Sequence, residues 1–282
     1  AGRLDDMSIG IECLLAESSA SARGFAEKLH QLNRERRDIE QSMQQDALAQ
    51  LESIDLEGDA SLFAMTLYDP AWHQGVIGIL ASRIRERVHR PTLVFADAGD
   101  GMLKGSGRSI AGLHLRDVLD QVATQHPGLL TKFGGHAMAA GLSLSRDDLD
   151  RFKQALNDAV AKALGHIAPE RTAESDGALA PGDFGLLLAE QLASGGPWGQ
   201  HFPEPLFDGR FSVLSHRIVG EKHLKLTVDA DGTEIEGIAF NIDVPQWLAT
   251  PLKAFHALYR LNVNEYRGER RPQLVIESFW PC

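Results

Sequence analysis

Lys132-Phe133-Gly134-Gly135-His136-Ala137-Met138-Ala139-Ala140-Gly141-Leu142 is the stretch on which the reading of this chain turns. Two adjacent glycines permit positive φ and a close backbone approach to a ligand. A histidine follows at once, and small residues behind it allow tight packing. That is the local chemistry of a phosphate seat. The same residues also suit a plain structural turn between a helix and a strand, so both readings stay open until the flanking segments are weighed.

Working outward, Leu113 to Gln125 before this stretch reads as a helix and Ala139 to Leu144 within and beyond it as a strand. Ser145 with Asp148 has the spacing of a capping box for a helix that carries Leu149, Phe152, Leu156, Val160 and Leu164 on one face. Further upstream, Leu62 to Leu67 is an expected strand, and a helix runs to about Val88. Pro91 closes it before the β-rich Thr92 to Ala96. Asp97 to Gly101 is a turn into Met102 to Ile110. The strand–helix–strand order predicts an α/β domain ending near Gly165.

On the N-terminal side, Ala1 to Glu17 reads as a loop entering a short helix. Beyond the candidate N-caps Ser19 and Ser21, apolar residues recur at 3/4 spacing from Ala22 to Leu51, interrupted at Arg36. Such a helix is about 45 Å long, with a narrow apolar stripe, and reads as a connector. On the C-terminal side a short strand at Gly177 to Leu179 and a helix from about Asp183 to Ala193 precede an all-β pattern. Its runs are Phe211 to Val219, His223 to Asp229, Glu234 to Asn241, Ala254 to Tyr266 and Gln273 to Phe279, with hairpin turns at Asp231-Gly232 and Arg267-Gly268. Five strands in so short a span predict a small barrel, the oligonucleotide-binding (OB) type being the first choice.

The formal charge of −11 excludes a protein that coats nucleic acid through its overall field, so a polyanion site has to be a local basic patch. Ala81 to Arg116 is such a patch: Arg83, Arg85, Arg87, Arg90, Lys104, Arg108 and Arg116 against Glu86, Asp97 and Asp100, a balance of 7 − 3 = +4. Cys13 and Cys282 form no paired spacing, and no apolar run is long enough for a membrane span, so a reducing, cytoplasmic setting is expected. The start at Ala1, in mid-pattern, is read as a sign of a longer parent chain.

Ser106 and Arg108 flank Gly107, so in an extended segment both side chains leave the same face. A guanidinium and a hydroxyl there could grip a phosphate, or could belong to a solvated, ion-paired hairpin. Trp72-His73-Gln74-Gly75 precedes a helix whose first amides favour an anion. His73 could donate there, or could with Trp72 simply furnish a hydrogen-bonded helix entry. His114 is read as structural. The 11 histidines show no ligand spacing that assembles a metal site. In the barrel, Phe207, Phe211, Phe240, Tyr259, Tyr266 and Phe279 alternate with Lys222, Lys225, Arg260, Arg267, Arg270 and Arg271, which suits single-stranded nucleic acid although most of those rings must be core. Arg267, Arg270 and Arg271, in one turn, are the better candidates for backbone contacts, with an ordinary charged loop beside Glu265 and Glu269 as the alternative.

As a set, Ala1-Gly2-Arg3-Leu4-Asp5-Asp6, Asn33-Arg34-Glu35-Arg36-Arg37, Trp72-His73-Gln74-Gly75-Val76-Ile77-Gly78, Ser106-Gly107-Arg108-Ser109, Gly134-Gly135-His136 with Ala140-Gly141, Gly196-Pro197-Trp198-Gly199 and Phe202-Pro203-Glu204-Pro205 resemble the C-terminal half of the RecJ family of bacterial single-strand-specific exonucleases, within the DHH phosphoesterase superfamily. The resemblance implies a 5′ to 3′ exonuclease on single-stranded DNA in recombination and repair. It also implies two Mn²⁺ or Mg²⁺ ions in the full-length enzyme, held by an Asp-His-His domain. No Asp-His-His triplet occurs here, so no metal ligand and no catalytic residue is expected in this chain, which alone would be inactive. What carries over is substrate handling: Arg3, Ser106 and Arg108 resemble the residues that hold the terminal 5′ phosphate. His136 with Gly134 and Gly135 resembles the part facing the scissile strand, and His73 and Gln74 join them as substrate-binding candidates. The implied layout is a remnant of the DHH domain at 1–20, the connector helix at 21–55, a DHH-associated α/β domain at 56–168 and an OB-fold with a leading helix at 169–282. The expected partners are single-stranded DNA, single-strand-binding protein and the missing DHH domain. A DHH-superfamily phosphodiesterase acting on short oligonucleotides or cyclic dinucleotides, and a non-catalytic repair-protein interaction module, are the alternatives.

Overall fold

The computed structural model describes residues 1–52, 54, 61–167, 169, 172–199, 202–242, 244, 247 and 250–282. The expected boundaries at 55/56 and 168/169 touch residues outside that set. The chain divides into two compact units, Ala1–Arg171 and Thr172–Cys282.

In the first unit a short helix α1 (Ser8–Leu15) leads into α2 (Ser19–Glu52), the long helix that the 3/4 spacing predicts. Its cap is Ser18, whose hydroxyl accepts from the Ser21 amide at 3.1 Å, instead of Ser19 or Ser21. Both of those already lie inside the helix. Only Met43, Ala47 and Leu51 are buried along α2, so its C-terminal turns join the core of the α/β domain while the rest of the stripe stays largely open.

The sheet of that domain comprises β1 (Met65–Tyr68), β2 (Thr92–Gly99), β3 (Met102–Arg108), β4 (Lys132–Gly135) and β5 (Ala139–Ser145), in the order β1-β2-β3-β5-β4. β1 and β2 run parallel around the crossover helix α3 (Ile77–Val88), and the remaining pairs are antiparallel. Alternation along β2 sorts two cores. Leu93 and Phe95 join the cluster that includes residues of α4 (Leu115–Gln125) and α5 (Leu149–Ala163), and Val94 and Ala96 join α3 and the end of α2.

Gly134 and Gly135 end a strand and open the tight β4–β5 hairpin, so they do not form a turn between a helix and a strand. Ser145 caps nothing: it is the last residue of β5, paired with Met102, and the chain passes through a 3₁₀ turn at Arg146–Asp148 before α5 begins.

The second unit opens with an extended segment. Gly177 to Leu179 is not a strand, although Asp176 donates to the Leu206 carbonyl and the Gly177 carbonyl accepts from Asp208. A 3₁₀ turn at Pro181–Asp183 precedes α6 (Leu186–Ser194). Five strands follow: β6 (Phe207–Val219), β7 (His223–Ala230), β8 (Thr233–Ala239), β9 (Ala254–Tyr266) and β10 (Glu269–Pro281). They close a barrel in the order β10-β8-β7-β6-β9, with β8 and β10 parallel and the other pairs antiparallel, as an OB-fold requires. Asp231-Gly232 and Arg267-Gly268 both take positive φ at two successive residues, the geometry of tight hairpin turns. Phe207, Phe211, Phe255 and Tyr259 fill the barrel interior.

Candidate nucleic-acid interface

The site in the first unit is built where α3 starts above β3. A Cβ on Gly75 would run into the Arg3 carbonyl, so glycine lets the N-terminal segment lie against the entry to α3, and Arg3 Nη1 donates to the Gly75 carbonyl at 3.3 Å. His73 Nδ1 accepts from the Gly75 amide at 3.0 Å, while the imidazole and Gln74 stay exposed and Trp72 is buried. One turn on, a Cβ at Gly78 would sit 3.0 Å from Ser106 Oγ and 3.1 Å from Arg108 Nη2. The missing side chain lets these two groups of β3 reach the underside of the helix.

Ser106 and Arg108 do share a face. Arg108 Nη1 donates to Ser106 Oγ at 3.3 Å and to the Gly107 carbonyl at 2.8 Å, and Nε donates to Ser82 Oγ at 3.1 Å. Among the described residues neither Arg3 nor Arg108 has a carboxylate at ion-pair distance. Burial pushes the Arg108 pKa below its usual value, and the charges of Arg3 and Arg85 push the same way. An arginine stays charged even so, and its unopposed charge favours an incoming anion. Arg85 itself lies 3.4 Å from Glu86.

The β4–β5 hairpin stands at the same end of the sheet, because Arg108 is paired with Ala139 and Gly107 with Ala140. Gly135 has φ +148°, and a Cβ there would collide with the backbone of Ala139 and Ala140. Three backbone bonds pin the tip: His136 N–H to the Ala139 carbonyl at 2.8 Å, Ser109 N–H to Met138 at 2.9 Å, and Leu115 N–H to Ala137 at 2.9 Å. His136 is thereby held exposed beside the end of β3. His114 caps α4, its Nδ1 accepting from the Asp117 amide at 3.3 Å.

In the second unit a groove of about 510 Å³ crosses the outer barrel wall between the β6–β7 and β9–β10 turns. Strands two and three of an OB-fold with these two loops form its customary oligonucleotide face. Arg217, Lys225, Ile238, Tyr266 and Arg271 line it. Lys225 is paired with Glu236 at 2.9 Å and Arg271 with Glu269 at 2.6 Å, whereas Arg217 has no carboxylate partner among the described residues. Of the three clustered arginines, only Arg271 lines the groove. Arg267 stands over the Tyr266 ring, 5.2 Å from its centroid, and Arg270 reaches Glu190 of α6 at 2.8 Å.

Sequence reasoning misses Gly78, Ser82 and Arg217. Gly78 and Ser82 are four apart on α3 and so share a face, but only the packing of α3 on β3 shows which face that is. Arg217 lies in a run that reads simply as a strand.

Residues 59–162 match the DHHA1 domain and residues 175–278 the RecJ OB domain. An α/β domain of that type joined to such a barrel defines a protein of the DHH superfamily. Over its whole length the chain is 53% identical to the single-stranded-DNA-specific exonuclease RecJ of Dickeya dadantii (strain 3937) and 48% identical to that of Escherichia coli (strain K12), covering 49% of each. The crystal structure of RecJ in complex with Mn²⁺ from Thermus thermophilus aligns with a TM-score of 0.76 at 28% identity, over 99% of this chain and 39% of that one. The chain belongs to the RecJ family and spans about half the length of the curated relatives it matches. Among the described residues, no three His, Cys, Asp or Glu side chains converge to hold an ion. No described helix is long and apolar enough to cross a membrane.

Proposed function

We propose that this chain is the substrate-binding portion of a single-stranded-DNA-specific 5′ to 3′ exonuclease in DNA recombination and repair. The observation that carries the reading is that Ser106 and Arg108 meet beneath the first turn of α3, with Arg3 against the Gly75 carbonyl at its entry and, among the described residues, no carboxylate at ion-pair distance from either arginine. Two guanidiniums, a hydroxyl and a helix N-terminus suit a terminal phosphate, which carries more charge than an internal diester. Arg108, oriented by Ser82 and Ser106, fixes the position of that phosphate; Arg3 closes over it from the N-terminal segment. His136, held by the pinned hairpin, contacts the strand beyond it. The barrel groove, with Tyr266 as a stacking face and Arg217 and Arg271 for phosphates, takes single-stranded DNA.

Mn²⁺ or Mg²⁺ would activate water and stabilise the displaced oxygen in the full-length enzyme. Its ligands lie outside this chain, which is therefore inactive as a nuclease by itself. Single-strand-binding protein and the DHH domain are the proposed further partners.

The test is fluorescence anisotropy with single strands that bear either a 5′ phosphate or a 5′ hydroxyl. Tighter binding of the phosphorylated strand, lost in Arg108→Gln, supports the reading; equal affinities would overturn the phosphate seat. Robust Mn²⁺-dependent cleavage by the pure chain would overturn the assignment of the metal ligands elsewhere. A preference for dinucleotides over long strands would favour the short-oligonucleotide phosphodiesterase.

A further inference from the structure

The sheet of the first unit is covered unevenly. On one side Leu103, Ala140, Leu142 and Leu144 are buried in the core with α4 and α5. On the other, the core with α3 takes in Val94 and Ala96 of β2 but no residue of β5 or β4. That face is left with two cross-strand rows, Ser106–Gly141–Gly134 and Lys104–Ser143–Lys132. Lys104, Lys132, Gly134 and Gly141 are exposed.

The charge on this face is one-sided. β3, β5 and β4 contain no Asp or Glu. Among the described residues neither Lys104 nor Lys132 has an ion-pair partner. On a chain with a net charge of −11, two unpaired lysines flanking a floor without carboxylates form a local positive patch on an acidic body. Lys104 lies four residues from Arg108 along β3, about 13 Å, and Lys132 two strands across from Lys104, about 10 Å. One phosphodiester beyond a phosphate held at Arg108 does not span that gap.

We propose that the open face of β3, β5 and β4 is a second subsite, which takes internal phosphodiesters of a single strand through Lys104 and Lys132 as the strand crosses Gly141 and Gly134. The inference rests on the proposed function and adds to it a basis for length preference. A strand must extend several nucleotides from its terminal phosphate to gain these contacts, and a dinucleotide gains none.

The test compares this chain with Lys104→Gln/Lys132→Gln, using a 5′-phosphorylated oligothymidylate dodecamer and the matching dinucleotide across a salt series. The expected result is a slope of log affinity against log salt smaller by about 1.4 for the dodecamer, two contacts at about 0.7 each. Dinucleotide affinity and the thermal melt should not change, and the charge reversal Lys104→Glu/Lys132→Glu should weaken dodecamer binding further. An unchanged dodecamer slope, with wild-type binding intact, overturns this subsite and leaves the proposed function standing. Equal loss for both ligands in a folded variant moves the lysines to the terminal seat and also overturns it. Failure of the wild-type chain to bind either ligand removes both readings.

Discussion

Arg108 shows what a single residue contributes to this site and how much of that its sequence context discloses. The alternation of Ser106-Gly107-Arg108 places two polar groups on one side of a strand, and they do meet, at 3.3 Å. The bond to Ser82 and the space above Gly78 depend on where α3 lies, which no local pattern encodes. Arg108→Lys keeps the charge but loses the planar fork that spans Ser82, Ser106 and the Gly107 carbonyl. The expected outcome is a five- to ten-fold weaker preference for a 5′ phosphate, about 1 to 1.4 kcal/mol, read by anisotropy. Arg108→Gln should abolish the preference. If lysine preserved it fully, the bidentate argument would fail and simple charge would suffice.

At the scale of elements, the β4–β5 hairpin is the hardest part to read from sequence. Lys132-Phe133-Gly134-Gly135 is only four residues long and half glycine, a composition with poor strand propensity that looks like a turn. Tertiary pairing with β5 makes it a strand nonetheless, and on the other edge of β5 the pairing of Ser145 with Met102 of β3 defeats the expected capping box. The two glycines are then unequal. A Cβ on Gly134 meets nothing within 4 Å, while one on Gly135 meets backbone at a φ that side chains rarely adopt. Gly135→Ala should cost about 2 kcal/mol or more and Gly134→Ala well under 1, compared by denaturant midpoints. Equal costs would mean that the tip adjusts freely and does not hold His136 in place.

A second element-scale feature ties the segment before the barrel to its wall. Ser175 Oγ donates to Asp208 at 2.5 Å, and His256, stacked on Trp280, lies 2.9 Å from the other Asp208 oxygen. The Ser175 bond, then the bond and charge of His256, hold Asp208 below its ordinary value of 3.8. A depressed carboxyl contributes stability above its unfolded pKa and loses it as the pH falls through the folded one. Asp208→Asn should therefore lower stability near neutrality by about 1 kcal/mol, a modest figure because the pair is partly solvated. The gap to wild type should narrow below about pH 4. A gap constant from pH 7 to pH 3 would show that packing, not ionisation, holds the segment.

For the whole molecule, the barrel is the most legible part, since five alternating strands with two Gly-containing turns admit few closures. The proposed anion sites are less so, because a net charge of −11 hides them and composition points away from nucleic acid. What matters is which cations lack a carboxylate, and ion pairing is a tertiary property: Arg270 and Arg271 are adjacent, yet Arg270 pairs with Glu190 on α6 and Arg271 with Glu269 in its own strand. Arg3, Arg108, Lys104, Lys132 and Arg217 have no such partner among the described residues, and Arg271 lines the barrel groove. If all six met phosphates, the slope of log affinity against log salt would approach −4, at about 0.7 per contact. Raising salt from about 50 to about 200 mM would then weaken binding by roughly two orders of magnitude. The acidic remainder of the surface adds repulsion of the opposite sign, which salt relieves, so the observed slope should lie between about −2 and −4. Anisotropy titrations of a long single strand over that salt range measure it directly. A slope near zero would mean that the strand is held by stacking alone, and the six cations would then have no part in binding.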